Sequence, residues 1–97
     1  HFARYPIGSF YKRHVDQFHA VPHRIVTVIL YLNDSWTEAD GGQLRMYFPQ
    51  EDGSERLEDV LPVGGRLVVF LSEEIPHEVM PTQKERISIT GWLRNID

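Results

Sequence analysis

The sequence predicts an all-β domain with about eight short strands, a number that suits a double-sheet jelly roll. Three observations support this prediction. Short apolar segments recur along the chain, turn signals rich in glycine and proline separate them, and no segment has a convincing helical period. Because a chain of 97 residues makes one domain at most, we expect a single domain over residues 1–97.

Eight segments carry the strand pattern. In chain order they are Phe2–Ile7, Phe10–Asp16, Ile25–Leu32, Gln43–Phe48, Arg56–Leu61, Arg66–Leu71, His77–Met80 and Arg86–Arg94. The third segment, IVTVILYL, is apolar on both alternations, which is typical of a central strand buried on both faces, and the sixth follows the same pattern. The last segment alternates, and one of its faces carries Arg86, Ser88 and Thr90 together with Trp92.

Turn signals fall between these segments at Pro6–Gly8, Gly41–Gly42, Asp52–Gly53 and Gly64–Gly65. The Asp-Gly pair predicts a tight hairpin between the fourth and fifth segments. A weak helical turn near Asp34–Ala39 is the only helical signal that we find in the sequence.

Composition limits the function. The charge of −4 argues against a nucleic-acid partner, because such proteins usually carry a basic surface. No apolar stretch is long enough to span a bilayer and no signal peptide is visible, so we expect no membrane partner and a cytoplasmic location. Cysteine is absent, which leaves His, Asp and Glu as candidate metal ligands. Because the chain starts at His1 without a methionine, next to a predicted strand, we expect that flanking segments are missing.

A candidate metal site combines His14 and Asp16 with the distant His77. Residues two apart on a strand point to the same face, so His14 and Asp16 can converge on one point. Two histidines and one carboxylate form the facial triad of non-heme Fe(II) oxygenases. Taken alone, an H-x-D sequence is common by chance, and His77 next to Pro76 could be an ordinary turn residue.

Arg86 follows His77 on the next predicted strand. The full order, an H-x-D sequence, a distant histidine and then a basic residue, is far less common by chance than H-x-D alone. A cationic side chain that faces a barrel interior is unfavourable unless it meets an anion. A guanidinium binds a carboxylate through two parallel hydrogen bonds. The alternative is a surface arginine paired with Glu85 or another acid.

Together these segments resemble the prolyl hydroxylase-like 2-oxoglutarate oxygenases, in particular the hypoxia-inducible-factor prolyl hydroxylases and their bacterial relatives. The resemblance rests on Tyr5-Pro6, Phe10–Asp16, Tyr31–Asn33, Gly41–Leu44, Pro76–Val79 and Arg86–Trp92. It implies a double-stranded β-helix, a cupin-like jelly roll, and we expect this chain to lack the family's N-terminal helices. Collagen-type prolyl hydroxylases have lysine where this chain has Arg86, so arginine indicates the hypoxia-factor branch.

The resemblance also implies roles for single residues. Fe(II) would be bound by His14, Asp16 and His77, and the distal carboxylate of 2-oxoglutarate by Arg86. Tyr31 matches a tyrosine that hydrogen-bonds the same carboxylate, and other matched positions are Tyr5 and Thr90 in the cosubstrate pocket and Leu44 and Trp92 in its wall. Arg24 matches an arginine near the substrate entrance, although a solvated surface arginine is the simpler interpretation.

The implied activity is hydroxylation of a substrate C–H bond, coupled to oxidative decarboxylation of 2-oxoglutarate to succinate and CO2. Dioxygen is the second cosubstrate, and ascorbate is an optional further cofactor. The expected substrate is a prolyl residue in a protein or peptide. Two alternatives stay open, namely a superfamily member acting on another amino-acid residue or a small molecule, and a metal-binding β-barrel without turnover. The sequence does not define an oligomeric state.

Overall fold

The fold is all-β, as the sequence predicts. A computed structural model describes residues 1–14, 25–71 and 74–94. Its strands are β1 (Phe2–Tyr5), β2 (Tyr11–His14), β3 (Ile25–Tyr31), β4 (Leu44–Pro49), β5 (Glu55–Val60), β6 (Leu67–Leu71), β7 (His77–Val79) and β8 (Arg86–Arg94), with one 3-10 helix at Glu38–Asp40. They form two antiparallel sheets of four strands, ordered β1-β8-β3-β6 and β2-β7-β4-β5.

The eight predicted strands correspond one to one with the observed strands, and their ends differ by at most two residues within the described part of the chain. The predicted second strand continues to Asp16, whereas β2 is described only to His14, because residues 15–24 lie outside the described ranges. The predicted helical turn near Asp34–Ala39 corresponds to the 3-10 helix Glu38–Asp40.

The hydrophobic core lies between the two sheets. The first sheet contributes Ile29 and Tyr31 from β3 and Val68 and Phe70 from β6, and the second contributes Leu44 and Met46 from β4. These side chains recur at every second residue, because alternate side chains of a strand face the same side of the sheet. The alternation therefore decides which side chains of β3, β4 and β6 reach the interior.

The prediction that the third and sixth segments are buried on both faces is wrong for the described residues. On β6, Val68 is 9% exposed but its neighbours Leu67 and Val69 are 59% and 55% exposed. On β3, the outward Val28 is only partly buried, whereas the inward Tyr31 is completely buried. The sequence pattern shows two apolar faces, but only one of them meets the opposite sheet.

The β4–β5 hairpin contains the predicted Asp52–Gly53 turn. Pro49 pairs with Glu55, and the backbone N–H of Gln50 donates to the Ser54 carbonyl oxygen over 2.8 Å. Gly53 has a φ of +86°, a left-handed conformation that favours glycine. The loop between the strands has five residues, so it is longer than the two-residue hairpin that the sequence suggests.

Candidate functional site

Two of the predicted metal ligands meet directly in the second sheet. His14 is the last residue of β2, His77 is the first of β7, and the two are cross-strand partners. Their ring centroids lie 4.2 Å apart. The edge-on ring of Phe70 lies 4.8 Å from the His77 ring and comes from the opposite sheet. Antiparallel pairing thus brings two distant imidazoles into contact.

Both imidazoles are oriented by backbone carbonyl groups. The Nδ1 of His14 lies 2.9 Å from the Lys12 carbonyl oxygen, and the Nδ1 of His77 lies 2.9 Å from the Ile75 carbonyl oxygen. A carbonyl oxygen only accepts hydrogen bonds, so each Nδ1–H must be the donor. In the neutral ring the lone pair is then on Nε2, which is the donor atom that a metal requires. This chemistry fits a divalent transition metal such as Fe(II).

The third predicted ligand, Asp16, lies outside the described residues, as does Arg24. Within the described ranges, no group of three or more His, Cys, Asp or Glu side chains is gathered in one place. The described part of the chain therefore provides two of the three predicted donors, and the carboxylate stays a prediction from the sequence.

Arg86 is buried, and the surface alternative for it is wrong. Its side chain is 3% exposed. The acid expected in that alternative, Glu85, instead pairs with Arg4 over 2.7 Å. Arg86 donates from Nε to the Gly42 carbonyl oxygen over 2.8 Å and from Nη2 to the Tyr31 hydroxyl over 3.3 Å. Both acceptors are neutral, and no carboxylate in the described part of the chain pairs with Arg86.

The environment of Arg86 disfavours an uncompensated charge. Burial lowers the pKa of Arg86, and the nearby Tyr31 and Tyr5 offset part of this effect. The guanidinium carbon lies 5.3 Å from the Tyr5 ring centroid and 5.1 Å from that of Tyr31. A guanidinium remains protonated even here, so the site holds a cation that can accept an anionic ligand.

One cavity of about 340 Å³ joins the histidine pair to Arg86. This volume is in the range of small-molecule sites. Its lining residues come from both sheets and are His1, Ala3, Tyr5, Tyr11, His14, Thr27, Ile29, Leu44, His77, Val79, Arg86, Ser88, Thr90 and Trp92. A small molecule in this cavity can therefore contact the two imidazoles and the Arg86 guanidinium at the same time.

The predicted cosubstrate residues gather around this cavity. Tyr5 and Thr90 line it, as do the predicted wall residues Leu44 and Trp92. Leu44 is almost completely buried, whereas Trp92 is 45% exposed. Tyr31 is not part of the lining, but its hydroxyl accepts a hydrogen bond from Arg86. Burial raises the pKa of both Tyr5 and Tyr31, so both hydroxyls keep their protons at neutral pH.

Sequence reasoning missed several lining residues. Ser88 is 3% exposed and Thr27 is 2% exposed, and both belong to the interior face of the first sheet. The signal for Ser88 was its shared alternation with Arg86, and the signal for Thr27 was a polar residue within an apolar strand. Tyr11 lines the cavity with its ring 4.3 Å from that of His14. His1 also lines it, although no sequence pattern marked this residue.

A search of the described residues finds no helix that is long and apolar enough to cross a membrane.

Comparisons with known proteins all find 2-oxoglutarate oxygenases or prolyl hydroxylases. The profile of the 2OG-Fe(II) oxygenase superfamily matches residues 1–94. A hypoxia-inducible factor prolyl hydroxylase of Caenorhabditis elegans is 41% identical over 87 residues, which are 88% of this chain and 12% of that protein.

Two solved structures share the fold. A prolyl-4-hydroxylase of Pseudomonas putida has a TM-score of 0.84 and 55% identity, covering 98% of this chain and 51% of that one. A prolyl hydroxylase of Trichoplax adhaerens, solved with a hypoxia-inducible factor peptide, has a TM-score of 0.79 and 37% identity, covering 94% of this chain and 40% of that one. The chain thus spans about half, or less, of the length of the relatives it matches.

Proposed function

Since this chain belongs to the 2OG-Fe(II) oxygenase superfamily and is prolyl 4-hydroxylase-like, we propose that residues 1–97 form the catalytic core of a 2-oxoglutarate-dependent prolyl hydroxylase. The family implies Fe(II), 2-oxoglutarate and dioxygen. The observation that carries the proposal is the single cavity shared by His14, His77 and the buried Arg86.

Fe(II) would be held by His14, His77 and Asp16. The donor set fits, because an imidazole that donates Nδ1–H to a carbonyl oxygen is in the tautomer that binds a metal through Nε2, and a carboxylate would complete the facial triad. When bound, Fe(II) supplies the activation of dioxygen that couples decarboxylation of 2-oxoglutarate to substrate hydroxylation. Phe70 packs edge-on against His77, which limits the rotation of this imidazole.

Arg86 would bind the distal carboxylate of 2-oxoglutarate, with the Tyr31 hydroxyl beside it. Two of its five N–H groups are used by neutral acceptors, so the remaining ones can form charge-assisted hydrogen bonds. Tyr5 and Thr90 would contact the same ligand from the cavity wall. Leu44 and Ile29 give the cavity an apolar wall, and such surroundings would strengthen the ion pair by lowering the local dielectric constant.

The proposed substrate is a prolyl residue in a protein or peptide. Support comes from the similarity to prolyl hydroxylases and from the Trichoplax adhaerens relative, whose structure contains a peptide fragment. Ascorbate as an additional cofactor and a cytoplasmic location are further parts of this proposal.

A spectroscopic experiment tests the metal and cosubstrate sites. Anaerobic addition of Fe(II) and 2-oxoglutarate should give a visible metal-to-ligand charge-transfer band in the wild-type protein, and a His77→Ala variant should give none. Equal absorbance in the two proteins would disprove the metal assignment. Succinate formation with prolyl peptides, with a gain of one oxygen on proline, would distinguish prolyl hydroxylation from turnover of another substrate or from a barrel without turnover.

A further inference from the structure

The loop that precedes β4 contacts the back of Arg86. Its Gly42 provides the carbonyl oxygen that accepts from Arg86 Nε over 2.8 Å. The arginine stem also occupies the space where a side chain at residue 42 would begin, because an added Cβ on Gly42 would lie 3.2 Å from Arg86 Cδ. Both the polar Nε and the apolar Cδ of Arg86 therefore lie beside Gly42.

Trp36 bonds the preceding peptide unit, which joins Gly41 to Gly42. Its indole Nε1 donates to the Gly41 carbonyl oxygen over 2.9 Å, and its Cζ2 lies 3.2 Å from the position of an added Cβ on Gly42. Trp36 is 8% exposed, so the indole belongs to the interior. Lys84 covers it from outside, with Nζ 5.5 Å from the ring centroid and a 2.7 Å hydrogen bond to the Ser35 carbonyl oxygen.

The orientation of a guanidinium decides how it binds a carboxylate. Two parallel hydrogen bonds form only when the planar fork and the carboxylate lie in one plane. The bond from Nε to Gly42 sets this plane, since a planar group with one fixed N–H has little freedom left. A shift of the Gly42 carbonyl would therefore rotate the fork of Arg86 away from its ligand.

We propose that Trp36 is a positioning residue for 2-oxoglutarate binding, acting through the Gly41–Gly42 backbone and Arg86. This inference rests on the proposed function, because it takes the ligand of Arg86 to be the distal carboxylate. Trp36 does not line the cavity of the histidine pair, so the proposed effect on the ligand is indirect.

A Trp36→Phe substitution in the full-length protein tests the inference. Phenylalanine keeps an aromatic ring but removes the indole N–H, so the Gly41 carbonyl loses its anchor. We expect the Kd for 2-oxoglutarate to rise by a factor of roughly 3 to 10, the effect of one net hydrogen bond. Binding of 2-oxopentanoate, which has a methyl group in place of the distal carboxylate, should not change, and neither should Fe(II) binding. Isothermal titration calorimetry under anaerobic conditions measures all three.

Thr37→Ala is the matched control. It lies in the same loop and removes the interactions of the Thr37 hydroxyl with Asp40, none of which involves Gly41 or Gly42. This variant should bind 2-oxoglutarate as the wild type does. The inference would be overturned if Trp36→Phe weakened the binding of 2-oxoglutarate and 2-oxopentanoate equally, or weakened the binding of neither.

A measurement on the wild type avoids any folding defect of the variant. The chain has two tryptophans, so two indole N–H signals are expected in a ¹⁵N-correlated NMR spectrum of a diamagnetic Zn(II)-loaded sample. The Trp36 signal should shift with 2-oxoglutarate but not with 2-oxopentanoate, and equal shifts with both would contradict the inference. Failure of the wild type to bind 2-oxoglutarate at all would instead disprove the proposed function.

Discussion

At the scale of single residues, Arg86 combines burial with neutral hydrogen-bond partners. Its alternation with Ser88 and Thr90 was enough to predict from the sequence that it faces the interior. The partners Gly42 and Tyr31 could not be predicted in this way, because they come from distant segments whose register with β8 depends on the assembled sheets. A buried cation that meets no carboxylate among the described residues contributes little to folding, which supports the proposal that Arg86 binds an anionic ligand.

An Arg86→Met substitution should separate stability from binding. Methionine has a similar length and no charge, so removal of the buried charge offsets part of the loss of the hydrogen bonds to Gly42 and Tyr31, and we expect the free energy of unfolding without ligand to stay within about 2 kcal/mol of the wild type. Binding of 2-oxoglutarate should be lost while Fe(II) still binds. Urea denaturation and calorimetry measure the two quantities.

The control is Arg45→Met. Arg45 forms a hydrogen-bonded pair with Asp59 over 2.8 Å on the outer face of the second sheet. Its replacement should leave 2-oxoglutarate binding unchanged. A fall in stability of several kcal/mol for Arg86→Met, with binding retained, would assign Arg86 a folding role instead.

At the scale of elements, the strands could be predicted but the sheet order could not. Alternation and turn signals are local, whereas the neighbours of β8, which are β1 and β3, lie far away in the chain. The sequence likewise predicts where the turns lie but not what packs against them. Gly41 and Gly53 both have positive φ, at +68° and +86°. Only the structure shows that Gly41 packs against the Pro81 backbone, while nothing lies within 4 Å of an added Cβ on Gly53.

Alanine substitutions at these two glycines should therefore differ in effect. Gly53→Ala should lower the free energy of unfolding by about 1 kcal/mol, which is the cost of a left-handed conformation for alanine. Gly41→Ala should lower it by at least about 2 kcal/mol, because the new Cβ overlaps the Pro81 carbonyl oxygen in addition. Chemical denaturation of both variants measures the difference, and equal losses would show that the loop moves to accommodate the methyl group.

At the scale of the whole molecule, the outer face of the first sheet is apolar in the described residues. Its most exposed side chains include Phe2, Leu67, Val69 and Leu93, at 59%, 59%, 55% and 65%. Sequence patterning could not distinguish this face from the core, because both faces of β3 and β6 carry aliphatic side chains. Only the packing of the second sheet on one side tells them apart.

Two adjacent valines on β6 test whether the outer face of the first sheet is exposed and the inner face is buried. Val69→Thr should change the free energy of unfolding by less than about 0.5 kcal/mol and should reduce binding of the dye ANS, because this side chain is exposed. Val68→Thr should lower that free energy by about 1–3 kcal/mol, because it puts a hydroxyl group into the core. Similar effects of the two changes would show that both faces are covered in solution.

The pairing of β1 with β8 also sets how fast this molecule can fold. Phe2 pairs with Ile89, so the first sheet joins residues from the two ends of the described chain. Contacts between residues that are far apart in sequence require a large loop to be closed before any stabilisation is gained, and domains dominated by them typically fold in milliseconds to seconds. His14 and His77 meet through pairing of the same long-range kind. The proposed metal-binding geometry therefore depends on long-range pairing, so we expect the proposed ligands to come together only once both sheets have assembled.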